Sequence, residues 1–80
     1  MKHVTVAYFA SLREAAKTSQ EDVETASETL AGLFHELGDR YGFKLRPENV
    51  KASLNLRWAG LDEGFSDGDS VVFIPPVAGG

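Results

Sequence analysis

The sequence contains no cysteine among its 80 residues. Disulfide bonds and metal sites built on thiolates are therefore excluded. Secreted domains of this size often depend on disulfides, so their absence favours a reducing compartment, and we expect a cytoplasmic protein. The first residues, MKHVTVAYF, lack the small-residue cleavage site of a signal peptide. No stretch approaches the roughly 20 apolar residues of a membrane-spanning helix, and we expect no membrane association.

The chain also lacks an excess of positive charge. Its 8 Lys and Arg residues are scattered, and 12 Asp and Glu residues give a net charge of -4. Because binding to nucleic acid needs a basic stripe, this balance argues against nucleic acid as a partner. We expect a protein partner whose surface is basic or apolar.

Motifs of catalysis and metal binding are missing as well. The sequence has two histidines, His3 and His35, and helical spacing places His35 off the apolar face of its predicted helix. The segment SDGDS lacks the spaced ligands of a calcium loop, and tight turning at Gly68 explains it. Neither a nucleophile elbow nor a phosphate-binding glycine loop is present. We therefore predict no metal site and no catalysis by the chain alone.

Three segments have the alternation typical of half-buried strands. In residues 4–9, VTVAYF, the side chains of Val4, Val6 and Tyr8 form the core face, and Phe9 falls on the opposite face. Residues 50–58 alternate as a strand or a tight hairpin, and residues 71–74, VVFI, form a final strand that ends at Pro75. Residues 19–26, SQEDVETA, are a weaker candidate for an edge strand.

Two segments predict helices. Ser11 and Glu14 have the spacing of a capping box before a short helix, and Thr25 and Glu28 have it before a longer one. Gly42 is a plausible stop for the longer helix. Apolar residues of the longer helix recur at helical spacing, at Leu30, Leu33, Phe34, Leu37 and Tyr41. We expect one α+β domain over residues 1–80, in which this helix packs on one face of a small mixed sheet and the first and last strands are neighbours.

The C-terminal segment IPPVAGG, residues 74–80, is the most unusual feature. Pro75 and Pro76 favour an extended exit from the last strand, and Gly79 and Gly80 give a terminus slim enough to enter a narrow channel. A second enzyme can place such a carboxylate on the α-phosphate of ATP, giving an acyl adenylate that sulfide or an amine opens. Most domains have loose ends, however, and an ordinary frayed terminus is the alternative.

Three segments together resemble one family. YFASLREAA at 8–16, SLN at 53–55 and FSDGDSVVFIPPVAGG at 65–80 are similar to the small, sulfur-carrying subunits of molybdopterin synthase. The resemblance implies a ubiquitin-like β-grasp fold. It also implies that a ubiquitin-activating-like adenylyltransferase uses ATP to adenylate Gly80, which then carries sulfur as a thiocarboxylate. No cofactor stays bound to the chain.

The resemblance further implies a partner and the residues that meet it. The tail, including Val77, Ala78 and Gly79, inserts into the large subunit, within a heterotetramer that adds sulfur to cyclic pyranopterin monophosphate. An apolar patch that docks the partners matches Phe9, Trp58 and Ile74, and the family's early arginine matches Arg13. The match leaves two interpretations of Arg13 open: a contact with the partner, or a solvated charge on the short helix.

Simple alternation does not explain how Trp58 joins this patch. A straight strand puts Trp58 on the same face as Leu54 and Leu56, whereas the resemblance suggests a turn after Asn55. This sequence departs modestly from the family pattern: position 78, here Ala78, often varies, and Ser70 stands where an acidic residue is common. Trp58 is bulkier than the usual aliphatic residue, which could adjust the fit to a partner but touches no chemistry.

Two other functions suit the same tail. One is a sulfur carrier for thiamine thiazole synthesis, although those chains look shorter and lack the FASLRE and Pro-Pro features. The other is a protein modifier, in which Gly80 forms an isopeptide bond with a lysine. The mass of the activated chain separates a carrier from a modifier.

Overall fold

Five strands and two helices make up the part of the chain that the computed structural model describes, residues 1–76. In chain order they are β1 (Lys2–Tyr8), α1 (Ala10–Ala16), β2 (Gln20–Thr25), α2 (Leu30–Tyr41), β3 (Lys51–Leu54), β4 (Arg57–Ala59) and β5 (Ser70–Ile74), with a 3₁₀ turn at Pro47–Asn49 before β3. No helix within these residues is long and apolar enough to cross a membrane.

The strands form one mixed sheet in the order β2-β1-β5-β3-β4. β1 and β5 are parallel neighbours, as expected for the first and last strands, and the other pairs are antiparallel. The weakly patterned segment is indeed an edge strand, β2. Only one face of this sheet, the inner face, is covered by α2, and the opposite face is called the outer face below.

The core lies between the inner face and α2. It includes the predicted core side chains of β1 and the apolar stripe of α2, of which Leu30, Leu33, Phe34 and Leu37 are fully buried. The rings of Phe34 and Phe73 meet edge to face, with centroids 5.1 Å apart, which ties α2 to β5. Val71 and Phe73 face inward, so Val72 and Ile74 belong to the outer face, as the alternation predicted.

Both predicted capping boxes are wrong. Thr29, not Thr25, caps α2, and its hydroxyl accepts a hydrogen bond from the Gly32 N–H at 3.1 Å. Thr25 ends β2 instead, where its buried hydroxyl donates to Glu36 at 2.6 Å. The pairing of β2 with β1 continues to Thr25 and so keeps that residue extended.

The cap of α1 differs in a similar way. Phe9 occupies the N-cap position without a side-chain bond, and Ser11 lies inside the helix. The Phe9 carbonyl accepts a hydrogen bond from the Leu12 N–H at 3.1 Å, so the chain turns into α1 directly after β1. Gly42 does end α2, with a φ of 75° and a hydrogen bond from its N–H to the Gly38 carbonyl.

Residues 50–58 form a hairpin with a two-residue turn rather than one continuous strand. Asn55 and Leu56 form the turn between β3 and β4, and both have positive φ values, 52° and 72°. Two successive positive φ angles are the mark of a type I′ turn, which matches the twist of the strands. The Asn55 side-chain amide donates to Asp69 at 3.0 Å and its oxygen accepts from the Ser70 N–H at 2.9 Å, which fixes the turn against the start of β5.

Replacing Leu56 with glycine should stabilise the protein. Leu56 is 95% exposed, so its side chain contributes little packing, and its left-handed backbone conformation is unfavourable for a residue with a Cβ. We expect Leu56→Gly to raise the free energy of unfolding in urea by about 0.5–1 kcal/mol. Leu56→Ala is the matched control, because it removes the side chain but keeps the Cβ, and should stay within about 0.5 kcal/mol of the parent. Equal stability of the two variants would contradict this account.

Candidate functional site

The end of β5 and the end of β1 lie side by side. Tyr8 pairs with Phe73 in the parallel ladder, so Phe9 and Ile74, the next residue of each segment, are neighbours at the same edge. Together with Pro75 and Pro76 they line a shallow groove of about 490 Å³. This groove marks the place from which the C-terminal segment leaves the sheet.

Two consecutive aromatic residues at the end of β1 have opposite environments. Tyr8 is 1% exposed, and Phe9 is 52% exposed. The Tyr8 hydroxyl donates to Glu21 at 2.6 Å, and burial together with this carboxylate raises the pKa of Tyr8 well above its ordinary value. Tyr41 donates to the same carboxylate, also at 2.6 Å, so the buried polar ends are satisfied. Tyr8 therefore belongs to the core, and Phe9 is free to meet a partner.

Trp58 reaches the outer face because of the hairpin turn. It is 69% exposed and pairs with Ser53, which in turn pairs with Val72 of β5. The straight-strand expectation, with Trp58 on the face of Leu54, is wrong, because the turn shifts the alternation between the two strands. Trp58 thus lies on the same face as Ile74, one step further from the exit of the tail.

The structure thus places three of the predicted partner-binding residues on the outer face of the sheet: Phe9 and Trp58, which are exposed, and Ile74, which is half-buried. We call these three residues the docking patch. Phe9 and Ile74 are adjacent, and Lys51, the cross-strand partner of Ile74, lines a second groove of about 400 Å³ beside Trp58. Large exposed side chains clustered on a face that the core does not use usually mark an interaction surface.

Arg13, the fourth predicted partner-binding residue, does not line the groove, although its N–H donates to the Phe9 carbonyl at 3.5 Å. It is exposed on α1, and it is Glu14, its neighbour in sequence, that lines the groove with Phe9 and Pro75. Within residues 1–76 Arg13 has no ion pair. The predicted tail residues Val77, Ala78, Gly79 and Gly80 lie outside the described residues.

Two residues near the patch did not emerge from sequence reasoning, Lys51 and Glu14. Lys51 becomes visible only with the register of β3 against β5, which sequence alternation does not provide. Sequence reasoning assigned Glu14 to a capping box. Its position at the groove follows from the start of α1 at Ala10, which local sequence did not indicate.

The described residues contain no cluster that suggests catalysis. Within residues 1–76 no group of three or more His, Asp or Glu side chains is arranged to hold a metal ion. His35 faces Asp39 on the exposed side of α2, at 3.5 Å, and His3 lies between Glu24 and Asp67 at 3.0 and 3.4 Å. These two histidines lie on different elements, His3 on β1 and His35 on α2.

The outer face is acidic at the end opposite the tail. Asp67 accepts the backbone N–H of His3 at 2.7 Å, and this bond holds the pKa of the Asp67 carboxyl below its ordinary value. The side-chain amide of Asn55 and then the N–H of Ser66 lower the pKa of Asp69 in the same way. Both carboxylates therefore remain charged well below neutral pH.

Comparisons with known sequences agree on one family. The sequence profile of the ThiS family matches residues 6–80. A molybdopterin synthase sulfur carrier subunit from Mycobacterium tuberculosis is 40% identical over 84 residues, covering 100% of both chains. A protein of the same name from Escherichia coli is 31% identical over 80 residues, which cover 96% of this chain and 99% of that one.

Solved structures give the same fold. Subunit 1 of a molybdopterin converting factor from Pyrococcus furiosus superimposes with a TM-score of 0.79 at 30% identity, over 96% of this chain and 100% of that chain. A complex of subunits 1 and 2 of the Helicobacter pylori factor contains a chain that superimposes with a TM-score of 0.64 at 25% identity. The match covers 98% of this chain and 99% of that chain. Small archaeal modifier protein 1 from Methanosarcina acetivorans superimposes with a TM-score of 0.77 at 25% identity, over 100% of this chain and 98% of that chain. The expected ubiquitin-like β-grasp fold is confirmed.

The patch should be dispensable for folding. Because Phe9 and Trp58 are exposed, we expect Phe9→Ala and Trp58→Ala each to change the free energy of unfolding by less than about 1 kcal/mol. Tyr8→Ala, one residue away and buried, should cost about 3–5 kcal/mol. Urea denaturation followed by circular dichroism measures all three. The assignment of Phe9 to the surface is wrong if Phe9→Ala is as destabilising as Tyr8→Ala.

Proposed function

Because the chain belongs to the ThiS family, we propose that it is the sulfur-carrying subunit of a molybdopterin synthase. The full-length match to the Mycobacterium tuberculosis sulfur carrier subunit, at 40% identity, is the observation that carries this proposal. We place the chain in the cytoplasm, where its cysteine-free composition and its need for ATP are both suited. In this function the chain is a substrate for one partner and a component of the active site of another.

The reacting group is the carboxylate of Gly80. A carboxylate oxygen attacks the α-phosphorus of ATP on an adenylyltransferase of the ubiquitin-activating type, and pyrophosphate leaves. A sulfur nucleophile then bonds to the carbonyl carbon, AMP leaves, and a thiocarboxylate remains. The thiocarboxylate sulfur bonds to a carbon of cyclic pyranopterin monophosphate and displaces an oxygen substituent. Water then cleaves the resulting thioester, which leaves the sulfur on the pterin and restores the carboxylate of Gly80. Because molybdopterin contains two added sulfurs, each product needs two loaded chains or two rounds of loading.

The partner that holds the pterin is the large subunit, with which the chain forms a heterotetramer. A complex of subunits 1 and 2 in the Helicobacter pylori factor supports such a partner. In this proposal the docking patch meets the large subunit, and residues 75–80 extend into its catalytic pocket. The buried Pro75 at the end of β5 supports a fixed starting point for that extension.

A protein modifier is the second candidate. The likeness to the archaeal modifier protein favours it, since the same fold and a free C-terminal glycine suit isopeptide formation. Incubating the chain with ATP, the adenylyltransferase and a sulfur source separates the two functions. A carrier gains sulfur on its own terminus, whereas a modifier becomes attached to the lysines of other proteins.

The docking patch should determine affinity for the large subunit. Truncation of an aromatic residue at the centre of an interface commonly costs 2 kcal/mol or more, so Phe9→Ala should weaken the complex roughly thirtyfold, and Ile74→Ala should weaken it too. His35→Ala is the control, because His35 is also exposed but lies on α2, which covers the opposite face of the sheet. Isothermal titration calorimetry gives the dissociation constants. Parent-like binding by both patch variants would remove the docking patch from the proposal.

Chemistry at Gly80 should depend on an unmodified terminus. Deleting Gly80, or extending the chain by a few residues, should abolish molybdopterin formation and leave the unfolding temperature nearly unchanged, because the tail follows the last core strand. Gly79→Ala should reduce activity through its added methyl group, since a pocket that protects a reactive acyl group from water is narrow.

Mass spectrometry of the activated parent protein tests the same chemistry directly. The C-terminal peptide should gain about 16 Da as sulfur replaces oxygen. Sulfur on any other peptide, or activity in the Gly80-deleted chain, would contradict the proposed function.

A further inference from the structure

Lys51 lies beside the residues of the docking patch. It is the first residue of β3, it lies opposite Ile74 in the antiparallel ladder, and it is exposed. It also lines the groove of about 400 Å³ beside Trp58. Lys51 therefore lies between two of the three residues of the docking patch.

The row of side chains next to Lys51 on the outer face carries no charge. The strand register places Ala7, Val72, Ser53 and Trp58 in one row across β1, β5, β3 and β4. Every side chain in that row is uncharged. Within residues 1–76 Lys51 takes part in no ion pair and no side-chain hydrogen bond.

Acidic residues lie further away on both sides. Asp22 pairs with Thr5 and Glu24 with His3, in rows successively further from the tail exit, and Asp67 joins them at that far end. Glu14 of α1 lies on the other side of Ile74 from Lys51, where it lines the groove with Phe9 and Pro75. The outer face thus carries the positive charge of Lys51 between Ile74 and Trp58, and acidic groups at its far end.

Docking changes the surroundings of Lys51. A partner that covers Trp58 and Ile74 also removes water from the ammonium group between them. A charge that loses its water within an apolar contact is strongly unfavourable unless an opposite charge replaces that water. The partner must therefore supply an acceptor, and a carboxylate is the side chain that restores both the charge balance and the hydrogen bonds.

We propose that Lys51 is a specificity-determining residue of this surface, and that the protein partner presents an Asp or Glu carboxylate to it from an otherwise apolar contact area. This inference rests on the proposed function, in which the docking patch is covered by the large subunit. The acidic far end of the same face calls for basic groups on the partner, placed away from the carboxylate that faces Lys51. The two charged regions together define one orientation of docking, which directs the tail at a single entrance.

Substitutions of Lys51 test the pairing against the purified large subunit, by titration calorimetry at low and at high salt. Lys51→Glu places two carboxylates together and should weaken binding by about 100-fold or more. Lys51→Met keeps the apolar stem but leaves the partner's carboxylate unpaired, and should weaken binding about tenfold and reduce its salt dependence. Lys51→Arg keeps the charge and should bind within about threefold of the parent.

Lys44→Glu is the matched control. It changes the net charge by the same amount, but Lys44 lies beside Gly42 and Phe43, on the helical side of the molecule. Its affinity should stay within about threefold of the parent. Equal weakening by Lys44→Glu and Lys51→Glu would show a general effect of net charge and overturn the pairing.

A charge-reversal scan of the large subunit identifies the carboxylate. One Asp→Lys or Glu→Lys substitution should restore binding to Lys51→Glu while weakening binding to the parent. If Lys51→Met binds as tightly as the parent while Phe9→Ala binds weakly, the inference about Lys51 is wrong and the docking patch stands. If Phe9→Ala also binds like the parent, the docking patch itself is wrong.

Discussion

The parallel pairing of β1 with β5 at the centre of the sheet is the constraint on which the rest of the molecule depends. Parallel neighbours end at the same edge, so the last residue of β5 and the residue after β1 necessarily meet. That meeting joins Ile74 to Phe9 and fixes the point where the C-terminal segment leaves the body. A roll with the same strands but antiparallel first and last members would separate the tail from its docking residues.

This pairing also separates core from surface at single-residue resolution. Tyr8 and Phe73 point inward at one step of the ladder, and Phe9 and Ile74 follow on the next step. Tyr8 is held by Glu21 and by ring contacts with Tyr41 and Phe43, at centroid distances of 6.1 and 5.9 Å. Because the aromatic core is complete without Phe9, the ring of Phe9 is left on the surface.

The sequence predicted the strands and helices well where burial alone decides them. Val4, Val6 and Tyr8 alternate because one face of β1 is buried, and the stripe of α2 recurs because one side of it is buried. Helix caps were predicted less well. Thr25 and Thr29 are both acceptable caps by residue type, and the choice between them was made by the pairing of β2 with β1, which is a long-range contact.

The hairpin between β3 and β4 limited prediction of the site for a similar reason. Asn55 is a typical type I′ residue, but Leu56 is not, so the pair does not have the Asn-Gly signal that identifies such turns from sequence. The turn decides the face of Trp58, and the register of β3 decides the neighbours of Lys51. Family resemblance indicated the turn, whereas nothing in local sequence indicated the position of Lys51.

In the proposed function one docking surface serves two successive partners, and this sets a physical requirement on that surface. The tail has one carboxylate, so the adenylyltransferase and the large subunit cannot hold it at the same time, and each complex must dissociate at a useful rate. A purely apolar patch binds without discrimination, whereas a lysine within it penalises every surface that lacks a carboxylate at the matching place. Partner choice can then depend on charge placement while the total apolar contact stays small. In the proposed function, Lys51 between Ile74 and Trp58 meets this requirement, because a partner that lacks the matching carboxylate is rejected before the tail can enter its pocket.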